Sequence, residues 1–162
     1  MLRVPFAVTF FISAFLGRFG KMLYIVAHIL TRKMSKEKFH IEFLMGNATQ
    51  NSLWRMISQI DGLSEWFADE VRMDETETRY TFLWGKSSNE AEIISSKPQS
   101  LIRYHWLDDE DLNVYFEFIL RKLDLSGEMT LEITDFAEPD EKGDAITLWE
   151  TQVDLLKRRL GV

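Results

Sequence analysis

The segment 144–160 (DAITLWETQVDLLKRRL) has the apolar pattern of an amphipathic α-helix. Its apolar side chains recur at steps of three or four residues, which places them on one helical face. Asp144 is predicted to cap the N-terminus of this helix, and Gly161 is predicted to end it. The helix has to bury its apolar face against the segments before it. That face consists of Ala145, Trp149, Val153, Leu156 and Leu160, widened by Leu148 and Leu155.

The segments before this helix read mainly as strands. Apolar and polar residues alternate over 38–45, which predicts a half-buried strand. Two short helices follow: the first begins after Thr49 and is predicted to end at Asp61-Gly62, and the second covers 63–68. Because the later spacers are short and turn-like, including 85–89, antiparallel pairing is expected. The six further strand candidates are 70–74, 78–84, 91–95, 101–107, 112–125 and 128–136.

Charge is distributed unevenly along the chain. Residues 1–33 carry five of the 19 basic residues and none of the 26 acidic ones. Residues 34–162 carry 14 basic and 26 acidic residues, a net charge of −12. Such an acidic domain repels phosphate backbones, so nucleic acid is not an expected partner. The chain has no cysteine, which excludes disulfides and thiol nucleophiles and fits a cytoplasmic protein.

Residues 1–33 differ from the rest of the chain. Two apolar runs, 4–17 and 22–30, are separated by Arg18 and Lys21, and neither run alone reaches the roughly 20 residues of a membrane-spanning helix. Three interpretations stay open: translation begins at Met34, or the segment is a membrane anchor, or it is a signal peptide. All three leave 1–33 outside a domain at 34–162. Membrane contact is expected only if 1–33 is translated.

The order of one strand, two short helices, six strands and a long helix resembles the START-like (SRPBCC, birch-pollen-allergen-like) helix-grip superfamily. The activator-of-heat-shock-ATPase-like branch is the most similar. The likeness is carried by Leu53-Trp54, by 63–68 (LSEWFA), by 129–136 (MTLEITDF) and by Trp149. The resemblance implies an α+β fold in which a curved seven-stranded antiparallel sheet wraps around the C-terminal helix, with a cavity between them. Members of the superfamily bind lipids, sterols or hormones, cyclise polyketides or contact chaperones, so the fold alone selects no function.

No catalytic set, metal site or cofactor site is predicted. In the strand 101–107 the even positions are the more apolar, so Arg103 and His105 are expected to point outwards into solvent. The acidic run 108–111 lacks the glycine and the spaced ligands of a calcium loop and is expected to be a solvated hairpin tip. A cyclase- or hydrolase-type enzyme would need polar side chains inside the sheet, which makes it the weaker alternative.

The more informative set is apolar. Its members are predicted to point into one space, where they either line a ligand cavity or fill a core. The leading hypothesis is a non-enzymatic domain that holds a small apolar or amphipathic ligand there, and the alternative is a protein-interaction module with a closed core. The candidate lining residues are Trp66, Phe67, Tyr80, Phe82, Trp84, Tyr104, Trp106, Phe116, Phe118, Met129, Leu131, Trp149 and Val153.

Overall fold

Seven antiparallel strands form one open sheet in the computed structural model, which describes residues 36–162. The prediction for residues 1–33 falls outside the described residues. The elements are β1 (Glu37–Leu44), α1 (Gln50–Ser58), α2 (Ile60–Trp66), β2 (Glu70–Met73), β3 (Arg79–Trp84), β4 (Ser87–Lys97), β5 (Leu101–Trp106), β6 (Phe116–Lys122), β7 (Met129–Ala137) and α3 (Lys142–Leu160).

The sheet is a meander to which the first strand has been added at the far edge. The strand order is β1-β7-β6-β5-β4-β3-β2, and every neighbouring pair is antiparallel. Pairing of β1 with β7 brings the start of the domain beside its last strand, with Glu37 opposite Ala137. The α+β helix-grip fold predicted from the sequence is therefore confirmed, with α1 and α2 between β1 and β2.

The two short helices are confirmed, but their boundary was predicted wrongly. Thr49 caps α1, since its Oγ1 accepts a hydrogen bond from the Ser52 backbone N–H at 3.1 Å. The extended backbone of Gln59 ends α1, and Asp61 and Gly62 lie inside α2 instead of stopping the first helix. Gly62 is required by close packing: a Cβ there would lie 2.2 Å from the carbonyl oxygen of Arg55.

The long helix α3 begins two residues before the predicted start. Glu141 is its N-cap residue and makes no side-chain capping bond, whereas Asp144 lies in the first turn. Its end is as predicted, because Gly161 adopts the left-handed conformation (φ 75°) and its N–H donates to the Arg158 carbonyl. Leu148 is 61% exposed, so its predicted place on the buried face was wrong.

The strands that differ most from the sequence prediction are β4, which is longer at both ends, and β6, which is shorter at both ends. Trp84 pairs with Ser87, so the turn is the two residues Gly85-Lys86 and not all of 85–89. The sixth strand begins only at Phe116, because the segment before it folds over the outer face of the sheet and covers His105. No helix within residues 36–162 has the length and hydropathy needed to cross a lipid bilayer.

Candidate functional site

The sequence-predicted aromatic residues lie together between the inner face of the sheet and α3. Eleven of the thirteen candidate residues are buried, and only Trp84 and Trp106 are partly exposed. Phe67, directly after α2, is at the centre of the set, with its ring stacked on that of Trp149 at a centroid distance of 5.8 Å. The predicted convergence on one space is therefore observed, while a cavity lined by these residues stays a prediction.

One end of the aromatic set is tied to α1. The Tyr104 hydroxyl donates to the Ile57 carbonyl at 3.0 Å, and the Tyr80 hydroxyl donates to the Ser58 carbonyl at 2.8 Å. The Trp66 indole N–H donates to the Met56 carbonyl at 2.8 Å. The last carbonyl groups of a helix have no partner within that helix, and here three aromatic side chains supply the missing donors. We call Trp66, Tyr80 and Tyr104 the tyrosine end.

Burial keeps the two tyrosine hydroxyls of the tyrosine end protonated. Desolvation raises the pKa of Tyr104 well above its ordinary value of 10.0, and it raises the pKa of Tyr80 as well. Both hydroxyls therefore stay protonated and act as donors at neutral pH. Because their donors are already used by α1, the tyrosines have none left to orient a ligand.

The other end of the set is reached from solvent. Trp84 and Trp106 are partly exposed, and their ring centroids are 6.3 Å apart. Trp106 stacks on Phe116 at 4.7 Å, and Trp84 contacts Phe67 at 5.9 Å. Both contacts lead inward to Trp149, which lies 5.8 Å from Phe67 and 6.4 Å from Phe116. We call Phe67, Trp84, Trp106, Phe116 and Trp149 the tryptophan end.

A carboxylate lies beside the tryptophan end. Asp135, in β7, is partly buried and accepts a hydrogen bond from the Trp149 indole N–H at Oδ2 (2.8 Å). Its Oδ1 accepts the backbone N–H of Phe136 at 2.7 Å. Desolvation by burial raises the pKa of Asp135 from 3.8 to about 6, while the Trp149 hydrogen bond opposes that rise. Asp135 is thus a desolvated carboxyl that titrates near neutral pH.

Sequence reasoning did not select Asp135 as a site residue, although a signal was present. Residues 129, 131 and 133 are apolar and buried, so the period of two in β7 continues inward to position 135. A charged residue at an inward position of a strand needs an explanation, because a buried carboxylate is costly unless it is paired. Its partner, Trp149, was identified from the sequence only as an apolar residue.

A second polar atom was also missed. The Oε1 of Gln152 is buried and has no hydrogen-bond partner in the part of the chain that the structure describes. Gln152 lies three residues after Trp149, on the adjoining turn of α3. An unpaired buried oxygen of this kind calls for a donor from outside the described residues.

The polar residues of β5 face the other side of the sheet. Arg103 pairs with Glu117 at 2.6 Å and lies over the Tyr115 ring at 4.0 Å, whereas Ile102 and Tyr104 point into the core. The outward direction predicted for Arg103 and His105 is confirmed. The solvated environment predicted for His105 is wrong: its side chain is buried, and its Nδ1 is 2.7 Å from the Val114 carbonyl oxygen.

Metal-ligand clusters were not expected from the sequence. Within residues 36–162 no group of three or more His, Cys, Asp or Glu side chains is arranged to hold a metal ion.

Replacing Asp135 with asparagine is expected to stabilise the fold at neutral pH. The folded state retains a proton on Asp135 that the unfolded chain releases near pH 3.8, so the contribution of Asp135 to stability falls as pH rises from about 4 to about 6. Asparagine carries no charge, but its single oxygen can accept from Trp149 or from the Phe136 N–H and not from both, which offsets part of the gain. We expect Asp135→Asn to raise the free energy of unfolding at pH 7.5 by about 2 kcal/mol.

Urea denaturation across pH 4 to 8 measures this effect, and the gain should shrink steadily as pH falls below about 6. Asp154→Asn, at an exposed position of α3, serves as the charge-matched control and should give no such gain. A pH-independent difference between Asp135→Asn and the wild-type protein would mean that this carboxyl titrates normally.

The fold and the aromatic inner face define the class of this protein, a helix-grip domain of one sheet and a long terminal helix. A family model described as the START-like superfamily domain matches residues 33–162. The chain belongs to the START-like superfamily. No curated protein matches it.

Solved structures agree with this assignment. A Bacteroides fragilis protein solved by NMR is 44% identical, and the match covers 78% of this chain and 92% of that one with a TM-score of 0.57. The Aha1 dimer from Colwellia psychrerythraea is 12% identical, with 76% and 96% coverage and a TM-score of 0.63. An AHSA1-like protein from Aeromonas hydrophila is 13% identical, with 75% and 90% coverage and a TM-score of 0.60. At such identities the last two show the fold alone, which is the fold of the START-like superfamily.

Proposed function

We propose that this domain binds a small apolar or amphipathic ligand at the tryptophan end. The observation that carries the proposal is the partial exposure of Trp84 and Trp106, which are continuous with the buried rings of Phe67, Phe116 and Trp149. Large aromatic side chains at the mouth of an apolar core are typical of ligand sites, since they give contact area at little entropic cost. In this proposal, movement of the two exposed indoles opens the space that the ligand occupies.

The tyrosine end has a structural role in the same proposal. Its three polar atoms are used by the carbonyl groups of α1, so this end holds the sheet to the helices while the opposite end admits ligand. Of the thirteen residues selected from the sequence, the proposal assigns direct ligand contact to Phe67, Trp84, Trp106, Phe116 and Trp149. The remaining eight support them.

Titration with 1-decanol, followed by the indole ¹H–¹⁵N resonances, tests this proposal. Saturable shifts are expected for Trp84, Trp106 and Trp149, while Trp54 of α1 should be unaffected. Trp106→Ala should weaken the binding, and Trp54→Phe serves as the tryptophan-removal control. Absence of saturable shifts at the three indoles, together with a native mass spectrum free of bound ligand, would contradict the proposal.

A protein-interaction module is the second candidate function. It is favoured by the internal hydrogen bonds of Trp66, Tyr80, Trp84, Tyr104 and Trp149, which occupy the N–H and O–H donors of these five aromatic side chains. In this case the acidic surface would carry the function. The test is a partner that is retained by the wild-type protein and released when Glu138, Asp140 and Glu141 are changed to lysine.

A further inference from the structure

The ligand head group can be inferred from the unused acceptors beside the tryptophan end. An ionised carboxylate offers about four lone-pair sites, and Asp135 uses one on each oxygen, for Trp149 and for the Phe136 backbone. Gln152 adds a buried oxygen without a partner among the described residues. The buried polar atoms without a full set of partners, Asp135 and the Gln152 oxygen, are acceptors, so a ligand that reaches them should donate hydrogen bonds.

The unpaired negative charge of Asp135 indicates that the hydrogen-bond donor of the ligand is a cationic group. Asp135 forms no ion pair within the part of the chain that the structure describes. Lys36 is the cation whose field reaches Asp135, but its ammonium is paired with Asp109. A cation that brings its own hydrogen-bond donors strongly stabilises a desolvated carboxylate that lacks a counter-ion.

The rest of the domain favours the same sign of charge. Residues 34–162 carry a net charge of −12, which attracts cations and repels fatty acids and phosphate head groups. The faces of tryptophan rings attract ammonium groups, and the tryptophan end offers Trp84, Trp106 and Trp149. The carboxylate, the ring faces and the overall charge therefore all favour a cationic ligand.

We propose that the ligand is an apolar or aromatic amine whose ammonium group binds the Asp135 carboxylate beside Trp149, with its apolar body against Trp106 and Phe116. This inference rests on the proposed function, because it assigns the head group of a ligand held at the tryptophan end.

Binding of such an amine depends on the ionisation of Asp135. Affinity is expected to fall as pH drops below about 6, because the protonated carboxyl loses its charge. The charged groups around Asp135 are Lys36, paired with Asp109, and the Glu37–Lys142 pair where β1 and α3 begin. From α3 itself the neutral indole of Trp149 contacts the carboxylate.

Three probes with the same ten-carbon chain test the inference: 1-decylamine, 1-decanol and decanoate, each titrated below its aggregation concentration. The readouts are the Trp149 indole resonance and the affinity at pH 7.5. Decylamine is expected to bind about tenfold more tightly than decanol, and decanoate more weakly than decanol. Asp135→Asn should remove the preference for the amine, whereas Asp154→Asn, which also removes one negative charge, should keep it.

The outcomes separate the two proposals. If decanol and decylamine bind equally at the tryptophan end, the amine inference is overturned and the ligand-binding function stands. If none of the three probes shifts the Trp149 indole saturably, both are overturned. Because Asp135→Asn is expected to be at least as stable as the wild-type protein, loss of its amine preference cannot be attributed to misfolding.

Discussion

Replacing Phe67 with alanine is expected to lower the free energy of unfolding by about 4 kcal/mol. The Phe67 ring has six aromatic neighbours, at centroid distances from 5.0 to 6.3 Å. It is stacked on Trp149 of α3 and also contacts Phe82, Phe116 and Phe118 of the sheet, so it packs between the two layers. Its removal leaves a cavity that the surrounding rings, held by their own contacts, cannot fill. The variant therefore loses the free energy gained by burying the ring and also bears the cost of the cavity.

Urea denaturation with intrinsic fluorescence measures this loss. Leu148→Ala, at an exposed position of α3, is the control and should change stability by less than about 0.5 kcal/mol. Phe67→Leu keeps much of the volume and should cost about 1.5 kcal/mol. A loss below about 1 kcal/mol for Phe67→Ala would show that Phe67 does not connect the sheet to α3.

Replacing Gly62 with alanine is expected to destabilise the protein by about 3 kcal/mol, although alanine is the better helix former. The new Cβ would lie 2.2 Å from the Arg55 carbonyl oxygen and 2.7 Å from the Met56 Cα. Those atoms belong to the backbone of α1, so a change of rotamer cannot relieve the clash. The two helices have to separate, which strains the Arg55–Asp61 ion pair and displaces Phe67 at the end of α2.

Gly143→Ala is the matched control for this clash, because a Cβ there would meet no atom within 4 Å. Gly143 lies in the first turn of α3, where the same substitution should stabilise the protein by about 0.5 kcal/mol. The two variants are thus expected to shift the thermal midpoint in opposite directions. Equal shifts would contradict close packing of α1 on α2 at Gly62.

The high pKa of Asp135 connects stability to the proposed function. A carboxyl that lowers stability at neutral pH is unfavourable for folding alone, and perturbed pKa values are concentrated at functional sites. The Trp149 hydrogen bond recovers part of the desolvation cost. An amine bound at Asp135 would supply the counter-charge that this carboxylate lacks within the described residues, and it would thereby raise stability by RT ln(1 + L/Kd), where L is the free amine concentration.

The sequence by itself determined the order of elements, the antiparallel sheet and the aromatic content of its inner face. Periodicity was sufficient because residues at steps of two or of three to four necessarily share a face, as Tyr104 and Ile102 do in β5 and as Trp149 and Val153 do in α3. The cap at Thr49 and the stop at Gly161 were also readable, since both depend on local backbone geometry.

Only the tertiary structure decided what those side chains contact. Gly62 was misread as a helix stop because glycine is required there by the backbone of a neighbouring helix. His105 was placed in solvent because alternation within β5 does not show that the loop after β5 folds back over it. The hydrogen bonds from the two tyrosine hydroxyls to the α1 carbonyl groups, and from Trp149 to Asp135, join residues that are 14 to 47 positions apart in the sequence. Hydrogen bonds of this kind leave no periodic trace, because they depend on how elements pack and not on how each one forms.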